Sequence, residues 1–261
     1  MMDLGLRGKT VLITGGSKGI GRAIAAALLA EGAQVTLAAR DADQLATTQA
    51  ALSQEAAGRV HVVPADLGTD AGRIALIETV GTPDILINNA GAIRAGRLGD
   101  LGIDDWRQDW ELKVFGYIHL CQLLLPAMAA RGSGSILNII GMAGRANRAA
   151  YISGSSANAA LIAFTQALGA QAQAQGLRVL GINPSPTLTD RMTSFMKRKA
   201  QAELGDESRW QDMVEPARFP YGRPALPDEI AALATMLLSH KVGYLNGTVV
   251  DIDGGGQWVG T

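Results

Sequence analysis

Residues Lys9–Gly21 read KTVLITGGSKGIG. Val11, Leu12 and Ile13 form an uncharged apolar run, which predicts a strand buried on both faces. Thr14, Gly15 and Gly16 break that strand, and Gly19 and Gly21 open an alanine-rich helix over Arg22–Glu31. Strand, glycine turn and helix N-terminus together make an anion site, because free backbone N–H groups and the positive end of the helix dipole face whatever sits there. Glycines let a diphosphate come into contact with the backbone. Ser17 stands where the second glycine of GxGxxG would be, so the spacing is Thr14-Gly15-xxx-Gly19-x-Gly21 instead. Gly15, Ser17, Lys18, Gly19, Ile20 and Gly21 are the candidate dinucleotide cradle.

Outward from this stretch the chain alternates. Strands are predicted over Gln34–Ala39, Arg59–Pro64, Asp84–Ile87, Ser135–Ile140, Leu177–Ile182 and Thr248–Ile252. Between them lie helical stretches over Asp41–Ala57, Thr69–Val80, Ile103–Arg131, Ala149–Gln175 and Pro227–Ser239. Such alternation predicts an α/β fold: one doubly wound Rossmann-type domain over residues 1–261, with about seven parallel strands in the order 3-2-1-4-5-6-7 and helices on both faces. Ligands then collect beyond the C-terminal ends of the strands.

The 261 residues carry 23 basic and 24 acidic side chains, a net charge of −1. That balance gives no reason to expect nucleic acid or an anionic membrane as a partner. Cys121 is the single cysteine and sits in an apolar stretch, so it reads as core. His61, His119 and His240 are far apart, without ligand spacing, and no metal site is expected. MMDLGLRGK lacks an apolar leader core, and the chain has no long uninterrupted apolar segment, so the expectation is a cytoplasmic protein.

The residues just after each strand specify the ligand. After the second strand comes Ala39-Arg40-Asp41, with Arg40 next to the place where an acidic residue would accept ribose hydroxyls. A guanidinium suits a 2′-phosphate, with Lys18 adding charge, so NADP is expected over NAD. Asp66 and Leu67 come after the third strand, placed to meet an adenine edge, and Asn88-Asn89-Ala90-Gly91 after the fourth. With Tyr151 opening a long helix, Asn183-Pro184 with Thr189 five residues beyond the proline, and Asp253-Gly254-Gly255, the chain resembles the short-chain dehydrogenase/reductase family over essentially its whole length. The resemblance implies a nicotinamide cofactor and hydride exchange between a carbonyl and an alcohol. It implies that Asn89, Ala90 and Gly91 line the cofactor, and that Pro184 and Thr189 hold its nicotinamide end. Ser185 replaces the glycine usual after the proline.

The chemistry departs from that pattern. The family uses an asparagine, a serine, a tyrosine and a lysine, and here only Tyr151 is plainly kept. Ser155 stands at the lysine position, Gly141 at the serine and Lys113 at the asparagine. A phenol has a pKa of about 10, and bringing it near neutrality requires roughly 4 kcal/mol of preference for the phenolate. A cation about 4 Å away supplies that at an effective dielectric near 20. Ser155 has no charge to offer, so Lys113 is the candidate relocated cation and, with Tyr151, the candidate catalytic pair. The alternative is that Lys113 faces solvent and the chain is a non-catalytic cofactor-binding sensor or assembly protein. Ser155 and Asn158 share a helix face with Tyr151 and are candidates for the ribose, the substrate or an oligomer contact. Asn147 or a water is a candidate replacement for the serine hydroxyl.

Arg94, Arg97, Arg145 and Arg148 fall in loops expected to rim the pocket, which suits an anionic substrate or a merely solvated rim. Residues 190–223 interrupt the alternation and read as a substrate lid, with Met192, Phe195, Met196 and Trp210 as its apolar wall. The long alanine-rich helices carry more apolar surface than one sheet face buries, and a homotetramer is expected.

Overall fold

The computed structural model describes residues 2–256. Its seven strands are β1 (Thr10–Thr14), β2 (Gln34–Ala39), β3 (Val60–Pro64), β4 (Ile85–Asn88), β5 (Gly134–Ile139), β6 (Leu177–Pro184) and β7 (Val249–Ile252). They form one sheet in the order β3-β2-β1-β4-β5-β6-β7, every pair parallel. This is the predicted architecture.

The register of β1 shows why an uninterrupted apolar run was needed there. Val11 and Ile13 point into a core with Ile24, Leu28, Leu37 and Ile87. Leu12 points the other way, into a core with Leu86, Leu120, Leu124 and Val179. Both faces of the sheet are thus covered, as parallel sheets require.

Helices flank the sheet: α1 (Gly19–Ala30), α2 (Ala42–Ser53), α3 (Asp70–Val80), α4 (Ile103–Trp110), α5 (Gly116–Arg131), α6 (Ala143–Ala146), α7 (Ile152–Ala172), α8 (Asp190–Leu204) and α9 (Pro227–Leu238). Asp41 and Thr69, expected inside helices, instead cap α2 and α3 through side chains that accept from the N–H of Gln44 and Gly72. The first helix starts three residues earlier than expected, so Gly19–Gly21 themselves form its first turn.

Between α4 and α5, Glu111–Phe115 forms a π-helical turn closed by the Gly116 N–H on the Glu111 carbonyl. The run Ile103–Arg131 is long and apolar enough by composition to cross a membrane. Here Leu120, Cys121, Leu124 and Met128 on this run pack into the sheet's second core. Burial pushes the Cys121 thiol up to about 12, consistent with its reading as core. The segment after Thr189 is more regular than its sequence indicated: α8 is a 15-residue helix, with short 3₁₀ turns beyond it over Glu207–Met213 and Pro216–Arg218.

Candidate active site

Beyond the C-terminal ends of the strands lies a cleft of about 850 Å³. Its lining includes Gly15, Lys18, Gly19, Ile20, Asn89, Ala90, Gly91, Lys113, Tyr151, Pro184 and Thr189, so the structure gathers these candidates in one place. A hollow of about 730 Å³ at the opposite ends of the strands, beside Lys9, Asp84, Ser135 and His240, is remote from Tyr151.

The glycine turn has the shape an anion needs. The N-cap of α1 is Lys18, extended and without a side-chain cap, and no acidic residue lies in the first turn. Its leading N–H groups are therefore open to a ligand. Gly15 has φ +64°, and a Cβ there would stand 2.9 Å from the Ala90 backbone. At Gly21 a Cβ would stand 2.5 Å from the Gly15 carbonyl, so its absence lets the turn close. Thr48 donates to the Ser17 carbonyl at 2.8 Å and pins the loop from the α2 side. The Asn89 amide donates to the carbonyls of Thr14 and Gly15, both at 3.0 Å, and the Thr14 hydroxyl accepts from the N–H groups of Asn89 and Ala90. Asn89 therefore braces the turn rather than offering its amide outward. These residues fit a dinucleotide.

Ser17, Gly21, Arg40, Asp66 and Leu67 are not among the residues lining the cleft. Arg40 is exposed at the end of β2. Asp66 accepts from the Gly68 N–H at 3.1 Å, whereas the Leu67 side chain is buried in the core, leaving only its backbone to a ligand. Thr189 touches the glycine turn, its methyl 3.0 Å from where a Gly19 Cβ would stand, but its hydroxyl caps α8.

Lys113 sits in the π-helical turn with the cleft on its open side. Its Nζ donates to the Ile140 carbonyl at 2.7 Å, and its stem covers Gly91, where a Cβ would meet Lys113 Cδ at 2.9 Å. Burial and the nearby Arg191 charge bring the ammonium down to about 8.

Tyr151 is partly buried against Ile93, Val114 and Ala157. Burial raises its phenol above the usual value, Arg191 opposes that, and Asp109 adds to it. Arg191 is thus a cation that opposes the effect of burial on Tyr151. Sequence reading missed it because it fell within the expected lid. Arg191 donates to the Ile93 carbonyl at 3.2 Å and lines the cleft.

Ser155 is not available to a ligand. Its hydroxyl accepts from the Arg148 N–H at 3.0 Å and donates to the Arg148 carbonyl at 3.3 Å, anchoring the loop before α7. Asn147 is exposed and closes α6 in the left-handed conformation, φ +48°. The expected ring of loop cations is partly neutralised. Arg94 pairs with Asp105 and Asp109, and Arg145 with Asp251 at 2.9 Å. Arg148 lines both the cleft and an adjoining cavity of about 640 Å³. That cavity is walled by Met192, Phe195, Met196 and Met213, without Trp210.

Residues 9–200 match the family described as short chain dehydrogenase. The chain is 35% identical over 260 residues to the rhamnolipids biosynthesis 3-oxoacyl-[acyl-carrier-protein] reductase of Pseudomonas aeruginosa, covering 96% of each. It is 34% identical to the 2-keto-3-deoxy-L-fuconate dehydrogenase of Xanthomonas campestris, over 96% of this chain and 80% of that one. L-Sorbose reductase from Gluconobacter frateurii, solved with NADPH and L-sorbose, superposes with a TM-score of 0.93 at 32% identity, covering all of both chains. Sequence, strand order and cleft agree: the chain belongs to the short-chain dehydrogenase family.

Proposed function

We propose that this chain is an NADP-dependent oxidoreductase acting on a carbonyl/alcohol pair, with Tyr151 at the reacting oxygen and Lys113 as the neighbouring cation. The observation that carries the reading is the Lys113 ammonium, fixed on the Ile140 carbonyl inside the cleft that also presents Tyr151. A lysine held only by solvent would have no such anchor.

The glycine turn and α1 would hold the diphosphate, Arg40 and Lys18 the 2′-phosphate, and Pro184 and Thr189 the nicotinamide end. When bound, the nicotinamide supplies or accepts the hydride. The chain's own residues handle the proton. A phenol held above its usual value keeps its proton at neutral pH, so Tyr151 donates to a carbonyl oxygen that gains hydride at its carbon. The phenolate left behind is stabilised by Arg191, and Lys113, with a pKa of about 8 and held in the same cleft, can return a proton.

The names of the relatives point to small hydroxy and oxo compounds, among them a sugar and a sugar acid. Arg148 and Arg191 favour a substrate with an anionic group. Residues 190–223 serve as the lid, and their apolar cavity takes the substrate's hydrocarbon portion. Assembly as a homotetramer and a cytoplasmic location complete the reading. Ser155, uncharged and tied to the Arg148 backbone, favours the second reading, a non-catalytic cofactor sensor, because it can offer a ligand neither a cation nor a free hydroxyl.

The test is a panel of L-sorbose, galactitol, a 3-oxoacyl thioester and a 2-keto-3-deoxy sugar acid, each with both phosphorylated and unphosphorylated cofactor. Turnover with a preference for NADP(H) is expected. Tight NADPH binding without turnover of any member would favour the sensor.

A further inference from the structure

Asn158 carries a buried amide oxygen with no partner, which leaves its Nδ2 as the atom that can face the cleft. Asn158, on α7, is 3% exposed, and its Oδ1 is buried without a hydrogen bond. The side chain lines the cleft beside Lys113, Gly141 and Tyr151. A buried polar atom left unpaired is costly, and native proteins keep few of them.

The surroundings hold this amide in place on two sides. A Cβ at Gly141 would stand 2.9 Å from Asn158 Nδ2, so the amide nitrogen fills the space a side chain at position 141 would take. Gly141 has φ +140°, a conformation other residues rarely adopt. A Cβ at Gly144 would stand 2.7–2.8 Å from the Asn158 and Ala159 backbone, so α6 is seated directly on α7 at this point. The Gly141 N–H is itself fixed on Asn183 at 3.3 Å.

The amide lines the same cleft as the reacting groups. Lys113 is anchored on the carbonyl of Ile140, the residue before Gly141. Tyr151 folds its ring over Gly154, on the helix face that carries Asn158.

We infer that Asn158 is the second hydrogen-bond partner of the substrate's reacting oxygen, its amide standing in the space that Gly141 leaves vacant. The role rests on the oxidoreductase reading above. The amide donates an N–H to the carbonyl oxygen while Tyr151 gives its proton, and no proton leaves Asn158.

The experiment compares wild type with Asn158→Leu, Asn158→Ser and Gly141→Ala. Leucine nearly matches the amide in size and has no polar atom. Because the amide is unpaired without ligand, Asn158→Leu should raise the melting temperature of the free protein by roughly 2–4 °C. Turnover of whichever panel compound wild type reduces fastest should fall roughly 10²–10³-fold, the cost of losing one preorganised donor. NADPH affinity, read by fluorescence transfer, should stay within about threefold of wild type, too small a change to reflect a lost charged hydrogen bond. Asn158→Ser keeps a donor and should recover part of the loss. Gly141→Ala should lower turnover by displacing the amide.

A fall in melting temperature in Asn158→Leu would show that the amide is structurally paired and would overturn the proposal. So would turnover that Asn158→Leu leaves intact, with the oxidoreductase reading still standing. Absence of turnover by wild type would remove that reading and the donor role together.

Discussion

The ring of Tyr151 lies on Gly154: a Cβ at that position would overlap the ring at Cε1 and Cζ. The first turn of α7 therefore has to be bare at its third residue for the phenol to fold along the helix. Gly154→Ala should displace the ring. A displacement of about 1 Å at a reacting group can cost about 10²-fold in rate. Turnover should fall toward that of Tyr151→Phe, while alanine's better helix propensity, about 1 kcal/mol, offsets the crowding in stability. Steady-state kinetics beside thermal unfolding would check this. A fully active Gly154→Ala would show that the ring position is irrelevant.

Lys113 carries a cost that depends on pH. Burial holds its folded pKa near 8, below the unfolded value of about 10.4. Below pH 8 both states are protonated and the folded state bears the full desolvation penalty. Between about 8 and 10.4 the unfolded chain binds more protons, so stability rises with pH. Lys113→Met should thus stabilise the protein at pH 7, by roughly 1–3 kcal/mol after allowance for the open cleft and the lost Ile140 hydrogen bond. The advantage should shrink as pH rises through that window. Turnover should be lost about as heavily as in Tyr151→Phe, and the double variant should be little worse than either, because groups acting as a unit are not additive. Chemical denaturation of both proteins from pH 6 to 10.5 reads the stability part, and an unchanged gap across the series would contradict it.

The turn that carries Lys113 is held by Arg73. That guanidinium is 1% exposed and donates to the carbonyl of Leu67 at 2.8 Å and of Glu111 at 3.3 Å. It also pairs with Asp70 and Glu111 and bonds His119 at 3.0 Å. Arg73→Leu leaves the Leu67 and Glu111 carbonyls and two carboxylates without their donor. A loss of roughly 3–5 kcal/mol is expected by analogy with breaking a buried pair, reduced because Asp70 and Glu111 keep contact with water. Urea unfolding measures it, and a change below about 0.5 kcal/mol would rule the buttress out.

These sites show where sequence reading reaches its limit. The strand order and the glycine turn were legible, because uncharged runs such as Val11–Ile13 admit only a doubly covered strand. The charge-free side chain of Ser155 was legible as well, but its tie to the Arg148 backbone was not. The direction of Lys113 was not. A π-helical turn takes in one extra residue and rotates the downstream helix by about 100°, and composition carries no trace of it. Gly141 read as a loss in the sequence and Gly154 carried no signal, and the meaning of both depends on Asn158 and Tyr151 filling the space. Arg94 and Arg145 looked available because their partners, Asp109 and Asp251, are 15 and 106 residues away.

On the proposed reading, cofactor choice turns on Arg40. It stands just past β2, next to β1 and the glycine turn, and is exposed without an ion pair among the described residues. Lys18, also exposed, caps α1 across the same turn. No carboxylate replaces Ala39 at the strand end, so the ribose hydroxyls of an unphosphorylated cofactor would find no acceptor there. A 2′-phosphate would find two cations. Arg40→Ala should weaken NADPH by roughly 1–3 kcal/mol, the range for hydrogen bonds to charged groups, with the lower half favoured because the site is wet. NADH should be nearly unaffected. Raising salt from about 0.05 to 0.5 M should narrow the difference between the two cofactors in wild type and leave Arg40→Ala almost unchanged, since exposed charges are screened. Adding Ala39→Asp to Arg40→Ala should then turn the preference toward NADH, by supplying the missing acceptor while repelling the phosphate. Titration of both cofactors against the three proteins decides it: equal affinities in wild type, or an NADH affinity that falls with NADPH in Arg40→Ala, would remove Arg40 from the site.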